Sequence, residues 1–287
     1  MLDSAGSEYP ESQIAFFGGS FTAIERARME ALLSVANEYI EKGVAESIRI
    51  STRPDCINEE IISVLKKYRV SNVELGVQST DDSVLNASGR GHTAKASFEA
   101  ARLLVENGIV FGGQMMIGLP GSSLESEMKT AEDIVCMGAG EARIYPTVVF
   151  EGTKLYDMAK NGEYVPLSLD DAVARSAKCF EIFRKAGVKL LRIGLHASEN
   201  LKNAPMGANH PAIGELVKSR VYADIICEKV GECRGKRLCI AIRREDISML
   251  RGHGGKAIEL IKDATGASEI EITPLDIPQF CPEVKIL

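Results

Sequence analysis

The sequence predicts an α/β protein built on a parallel sheet, with a smaller α/β unit at its C-terminal end. Three observations carry this. Short apolar runs alternate with amphipathic stretches at a spacing of roughly 30 residues, as in successive βαβ units. Glycine and polar residues gather where each apolar run ends. The alternation then breaks near Asn200 and a shorter unit follows.

Composition bounds the rest. A chain of 287 residues, 45% hydrophobic and 26% charged, can bury a full core. No apolar run approaches the roughly 18 residues of a membrane helix. The opening MLDSAGSEYPESQ is polar and acidic, unlike a signal peptide. Seven scattered cysteines, an odd number in a chain too large to need disulfide staples, point to a reducing, cytoplasmic setting. A net charge of −6 argues against a surface coated for nucleic acid, while leaving room for one local basic patch.

The elements follow in order. An apolar run over 14–17 ends in Gly18-Gly19. The stretch 24–42 places Met29, Leu32, Leu33, Ala36 and Ile40 at three-and-four spacing, a helix with one buried face. Strand 47–51 (SIRIS) precedes helix 58–68, whose Asn58 is a good N-cap beside Glu59 and Glu60. Strand 72–77 leads to helices over 81–87 and 94–107, the second stopped by Gly108. Strand 110–117 runs into Gly118-Leu119-Pro120-Gly121 and helix 124–137. Strand 141–150, helix 168–185 and strand 188–193 complete the series. Periodicity fits a doubly wound sheet and a barrel equally. In either, ligands bind where the carboxyl ends of the strands meet their loops. Those ends carry Gly18-Gly19-Ser20, Thr52-Arg53-Pro54-Asp55, Gln78-Ser79, the GLPG turn and Pro146-Thr147, which is what an enzyme would place there.

The motifs Phe16-Phe17-Gly18-Gly19-Ser20-Phe21-Thr22, Thr52-Arg53-Pro54-Asp55, Glu74-Leu75-Gly76-Val77-Gln78-Ser79, Arg90-Gly91-His92-Thr93, Gly118-Leu119-Pro120-Gly121 and Tyr145-Pro146-Thr147 are each weak alone. In this order and spacing they resemble the radical S-adenosylmethionine superfamily, in particular the Elongator catalytic subunits and then the oxygen-independent coproporphyrinogen oxidases. The resemblance selects the barrel: a partial, TIM-like barrel of the six-stranded radical SAM type, lacking its first strand, over residues 1–199. It implies S-adenosylmethionine and a 4Fe-4S cluster, an electron donor such as reduced flavodoxin or ferredoxin, and a 5′-deoxyadenosyl radical. The family's cluster-binding CxxxCxxC is absent; the first cysteine is Cys56. The chain therefore carries no expected metal ligands, is expected not to cleave S-adenosylmethionine as it stands, and reads as lacking a segment ahead of Met1.

By the same resemblance, Gly18, Gly19 and Ser20 would face the methionine amino group, with serine a weaker acceptor than the family's glutamate. Arg53 and Gln78 would face the ribose and carboxylate. Gln114 and Gly118 lie on and after the strand that follows, and Tyr145 and Thr147 toward the adenine. Competing readings are an Arg53–Asp55 pair, Gln78 as a strand cap, Met116 as core and His92 as a neighbour of the Thr93 helix start. His196 and His210 have no metal-ligand spacing.

Residues 200–221 read as a linker rich in Asn, Pro and Gly, and 222–287 as the small unit. There, strand 237–243 and a helical turn over 246–250 precede Gly252-His253-Gly254-Gly255-Lys256, then a helix, Thr265-Gly266-Ala267 and strand 269–273. This resembles a KH module, whose GxxG loop clamps a nucleotide backbone. Between Arg234 and Lys256 there are seven basic residues against Glu245 and Asp246. Cys227, Cys233 and Cys239 have no cluster-like spacing. The combined expectation is a radical SAM enzyme acting on RNA, with tRNA the leading candidate. A non-catalytic RNA-binding scaffold and a porphyrin or other small-molecule substrate are the alternatives. Nothing after Leu195 resembles the acetyltransferase domain that Elongator-type enzymes also carry.

Overall fold

The computed structural model describes residues 12–196, 201 and 203–287. The alternation read from the sequence becomes β1 (Gln13–Phe16), α1 (Arg26–Glu41), β2 (Ser47–Thr52), α2 (Glu59–Lys67), β3 (Val70–Gln78), α3 (Asp82–Ala87), α4 (Ala94–Glu106), β4 (Val110–Ile117), α5 (Leu124–Cys136) and β5 (Glu141–Pro146). Beyond these come β6 (Val148–Val149), α6 (Lys154–Lys160), α7 (Leu169–Lys185) and β7 (Lys189–Ile193). Strand neighbours in space are neighbours in sequence, in the order β1-β2-β3-β4-β5-β7, and form a curled parallel half-barrel. This is the topology that right-handed crossovers give.

Local chemistry sets the helix ends. Asn58 accepts a hydrogen bond from the Ile61 amide, Asp81 from those of Ser83 and Val84, and Thr93 from that of Ala96. Ser123 and Ser126 cap α5 reciprocally. Gly108 stops α4 with φ 71°, a conformation that a side chain would strain.

Helices α1, α2, α4 and α5 pack against one face of the sheet. That face is Ile48 and Ile50 from β2, Val73, Leu75 and Val77 from β3, Phe111, Met115 and Ile117 from β4, and Ala142 and Ile144 from β5. All are at most 1% exposed. α5 lies so close that a methyl on Gly113 would stand 2.4 Å from Ile134 Cγ2. The opposite, inner face carries the alternate residues: Gln13, Arg49, Ser51, Asn72, Glu74, Gln78, Gln114, Glu141, Arg143 and Tyr145.

The chain divides into two compact units: one runs through Tyr145 and takes in Ile182–Arg192, and the other holds Pro146–Glu181 and Ile193–Leu287. In the second unit β6 pairs antiparallel with β8 (Met206–Gly207). There follow α8 (Ile213–Val230), β9 (Arg237–Arg243), α9 (Ile247–Arg251), α10 (Lys256–Thr265), β10 (Glu269–Leu275) and β11 (Glu283–Ile286). β9 is the central strand, parallel to β10 and antiparallel to β11. Leu238, Ile240 and Ile242 of β9 are fully buried, as are Val217 and Ile226 of α8 and Ile261 of α10. The buried Tyr222 hydroxyl donates to Asp246 and accepts the Phe280 amide, tying α8 to the loops of this unit.

Several boundaries differ from expectation. The strand expected over 141–150 divides at Thr147 into β5 and β6. The stretch expected as a linker, 200–221, contains from Ile213 the first half of α8. That helix buries residues all round, including Ser219, Val221, Tyr222 and Ala223, so it has no polar stripe for periodicity to find. Residues 197–200, at the expected junction of barrel and linker, and residue 202 of the expected linker lie outside the described residues. Among the described residues no helix is long and apolar enough to cross a membrane.

Candidate active site at the carboxyl ends of the sheet

A cavity of about 310 Å³ opens at the carboxyl ends of β1 to β4. Gly19 and Ser20 reach it from β1, Ser51, Thr52 and Arg53 from β2, Gly76 and Gln78 from β3, and Gln114 from β4. The loop after α3 adds Ser88, Gly89, Arg90 and His92. Five of the expected site residues thus come together: Gly19, Ser20, Arg53, Gln78 and Gln114.

Three buried polar atoms on this wall have no hydrogen-bond partner: Gln78 Oε1, Arg90 Nε and His92 Nδ1. Uncompensated burial of such groups is costly, so three in one cavity indicate a polar occupant. Gln78 is held in the left-handed region, at φ 63°, where β3 ends. A Cβ at position 76 would lie 2.8 Å from its Nε2, so Gly76 makes room for this side chain. The His92 ring sits 3.1 Å through Nε2 from the Val77 carbonyl. A carbonyl only accepts, so Nε2 carries a proton, and Nδ1 is the ring nitrogen left for a ligand. The Arg90 guanidinium rests against Met116 Sδ, and among the described residues no carboxylate pairs with it. Burial lowers its pKa, the signature of a desolvated cation without a counter-ion.

Arg53 lines the cavity and is also engaged by the protein itself. It forms a two-pronged pair with Asp55, at 2.9 and 2.7 Å, and donates to the Gly91 carbonyl at 3.0 Å. The competing Arg53–Asp55 reading is therefore the observed geometry. Its hydrogen bonds hold the Asp55 carboxyl below the usual range. Through Gly91, Arg53 fastens the loop that carries Arg90 and His92.

Beneath the cavity the inner face holds a charge network. Glu74, 1% exposed, accepts from Arg49 at 3.1 Å, Gln114 Nε2 at 2.8 Å, and Arg143 at 2.6 and 2.9 Å. Arg49 also pairs with Glu141 through both terminal nitrogens, and its Nε donates to Gln13. Two guanidiniums meet two carboxylates, so the charges balance. Burial opposes ionisation of Glu141, but Arg49 outweighs it and the carboxyl titrates below its ordinary range. Burial pushes the Tyr145 phenol up despite Arg143 beside it. Gly112 lies under Glu74, whose Cγ would be 3.2 Å from a methyl there.

The remaining expected residues are placed as follows. Gly18, at φ 105°, precedes Gly19 in the turn but is not part of the cavity wall. The Gly118 amide donates to Glu127 Oε1 at 2.7 Å. Tyr145 ends the inner face on β5, and Thr147 belongs to the second unit, where its carbonyl accepts from the Ala208 amide. Met116, read as core, is half-buried; its neighbour Met115 is the buried one. In the second unit, the Gly252–Gly255 loop joins α9 to α10. Gly254 and Gly255 are left-handed, with open space where side chains would stand. Lys256 Nζ lies 2.9 Å from Asp170, an exposed pair. His253 is described through its backbone only.

Sequence reasoning missed Arg90 as a cavity group and the whole Arg49–Glu74–Glu141–Arg143 network. The available signal was charged residues at period-two positions inside apolar strands. For a cluster the residues do not fit. All seven cysteines are free thiols, and among the described residues no three His, Cys, Asp or Glu side chains gather as a metal site. For S-adenosylmethionine they do fit: a desolvated guanidinium suits its carboxylate, and unpartnered acceptors suit its ammonium and hydroxyls.

A curled parallel half-barrel with a polar inner face and a ligand-sized cavity at its strand ends defines a scaffold of radical SAM type. The Radical SAM superfamily family model matches residues 2–134, and the Radical SAM C-terminal domain matches 141–223. The chain belongs to the radical SAM superfamily, whose enzymes use S-adenosylmethionine and a 4Fe-4S cluster. It is 37% identical over 193 residues to the tRNA uridine(34) acetyltransferase of Methanocaldococcus jannaschii, covering 60% of this chain and 36% of that one. It is 32% identical over 148 residues to Elongator complex protein 3 of Homo sapiens, covering 50% and 27%. The solved structure of Methanocaldococcus infernus Elp3 with an N-terminal deletion superposes with a TM-score of 0.68 at 27% identity, over 81% of this chain and 57% of that one. The chain thus spans about a third of the length of the curated relatives it matches, 36% for the first two.

Proposed function

We propose that this chain is the S-adenosylmethionine-binding barrel of a radical enzyme that modifies tRNA. The carrying observation is Arg90, a half-buried guanidinium whose buried Nε has no hydrogen-bond partner and which pairs with no carboxylate among the described residues, in a cavity at the strand ends. When bound, S-adenosylmethionine supplies the 5′-deoxyadenosyl group as a radical source. Arg90 takes the carboxylate in a charge-assisted hydrogen bond. The Gly19 backbone and the Ser20 hydroxyl take the ammonium, with Gly18 in the turn that presents them, and Gln78 and Gln114 take ribose hydroxyls. Tyr145 stands toward the adenine, and Gly118 shapes the strand end that leads there. Arg53, through Asp55 and Gly91, positions Arg90. No cluster ligands occur among the described residues, so electron transfer from a flavodoxin or ferredoxin is not assigned to side chains of this chain.

The tRNA substrate rests on the names of the relatives and on the GxxG loop. Open space at Gly254 and Gly255 lets a phosphate backbone approach, and the Lys256–Asp170 pair is exposed enough to be exchanged for a phosphate. The test is binding of S-adenosylmethionine by calorimetry and of unmodified tRNA by anisotropy, with Gly254→Asp/Gly255→Asp as control. Both ligands should bind, and the double substitution should weaken only tRNA. tRNA binding without S-adenosylmethionine binding would leave the barrel as a scaffold, and failure of both would overturn the proposal.

A further inference from the structure

The inner face of the half-barrel is mostly polar, and an exposed phenylalanine ring stands on it. Phe17, just past β1, is 54% exposed, although its neighbour Phe16 stacks on Phe21 with ring centroids 4.7 Å apart. Chain alternation turns Phe16 toward the core and Phe17 to the inner face. There the Arg143 guanidinium lies 5.3 Å from the Phe17 ring centroid. Arg143 cannot wander, because both of its prongs end on the buried Glu74. The same Glu74 holds Gln114, which also lines the strand-end cavity and keeps its Oε1 as an acceptor. An aromatic ring is thus backed by an immobilised cation that is tied, through Glu74, to the Gln114 side chain of the strand-end cavity.

We infer that Phe17 is a stacking platform for a nucleobase. A base has what this surface lacks: a flat π face for the ring, and polar edges for amides and hydroxyls such as Gln114 and Ser51. An aliphatic ligand would leave those edges unpaired, and a fully polar one would leave the ring in water. The base can come from the adenosyl group or from RNA, and the inference rests on the proposed function only for these two sources.

The sequence contains no tryptophan, so Phe17→Trp installs a single reporter on the platform. The whole chain is titrated with S-adenosylmethionine and, separately, with an unmodified tRNA anticodon stem-loop, while calorimetry follows binding to the unaltered protein. Saturable quenching of Trp fluorescence by S-adenosylmethionine identifies adenine as the stacked base; quenching by the stem-loop identifies a base of the RNA. Phe17→Ala should then weaken that same ligand by roughly tenfold, the scale of one base–aromatic stack. Calorimetric binding without quenching overturns the platform and leaves the cofactor site standing. Absence of both binding and quenching overturns the platform together with the proposed function.

Discussion

The two faces of the half-barrel sheet are made from the same strands, residue by residue in alternation, yet they obey different rules. The face toward the helices is aliphatic and essentially dry: Ile48, Ile50, Val73, Leu75 and Ile144 are fully buried. The inner face holds Arg49, Glu74, Glu141 and Arg143 in one hydrogen-bonded set. Non-directional burial holds the first face together, so shape and volume decide its stability. The second depends on pairing, so removing one member leaves another charge uncompensated. A sheet that needs only stability would be apolar on both sides, as parallel sheets usually are. The polar face is what a ligand-binding interior requires, with Glu74 as its fixed centre.

The largest expected effect breaks that centre. Glu74→Ala should destabilise the fold by about 3–5 kcal/mol in urea unfolding, since Arg49 and Arg143 lose a buried partner. A loss under 1 kcal/mol would mean that the network is solvated rather than structural. On the other face, Gly113→Ala should cost about 1–3 kcal/mol by overpacking against Ile134, with no change in ligand affinity. If this variant were as stable as the parent, α5 would not lie as close as described.

Acid sharpens the comparison. Arg49 depresses the Glu141 pKa in the folded state, so its stabilisation is complete above the ordinary carboxylate range and is lost as pH falls through the depressed value. The stability gap between the parent and Glu141→Gln should therefore shrink between neutral pH and about pH 3, the acid side of the ordinary carboxylate range. A gap constant with pH would rule out the ionised pair as its source. The smallest effect is expected for Ser51→Ala, whose hydroxyl accepts a long 3.3 Å bond from Gln114; stability should stay within about 0.5 kcal/mol.

The dry face was legible in the sequence and the wet face much less so. SIRIS, the Asn58 and Thr93 caps and Gly108 follow from local rules that act within a few residues, and the structure places them accordingly. The segment NVELGV also announced a strand with alternating faces. Alternation alone reads as one face in water, whereas Glu74 is buried. Its partners lie 25 residues before it and 69 after it, and local pattern does not reach that far. Arg90 was hidden for a related reason: in a Gly-flanked loop an arginine looks solvent-exposed until the fold lays Met116 against it. Family resemblance pointed to the strand ends, whereas the hydrogen bond from Arg53 to the Gly91 carbonyl, 38 residues away, is beyond the reach of local pattern.

The central claim is that the strand-end cavity binds S-adenosylmethionine through its carboxylate at Arg90. Calorimetry with S-adenosylmethionine and with its decarboxylated analogue, on the parent and on Arg90→Ala, tests it directly. The account predicts that the substitution weakens S-adenosylmethionine by about tenfold or more, the range for a lost charge-assisted bond, and leaves the analogue nearly unchanged. Equal losses for both ligands, or no loss for either, would contradict it.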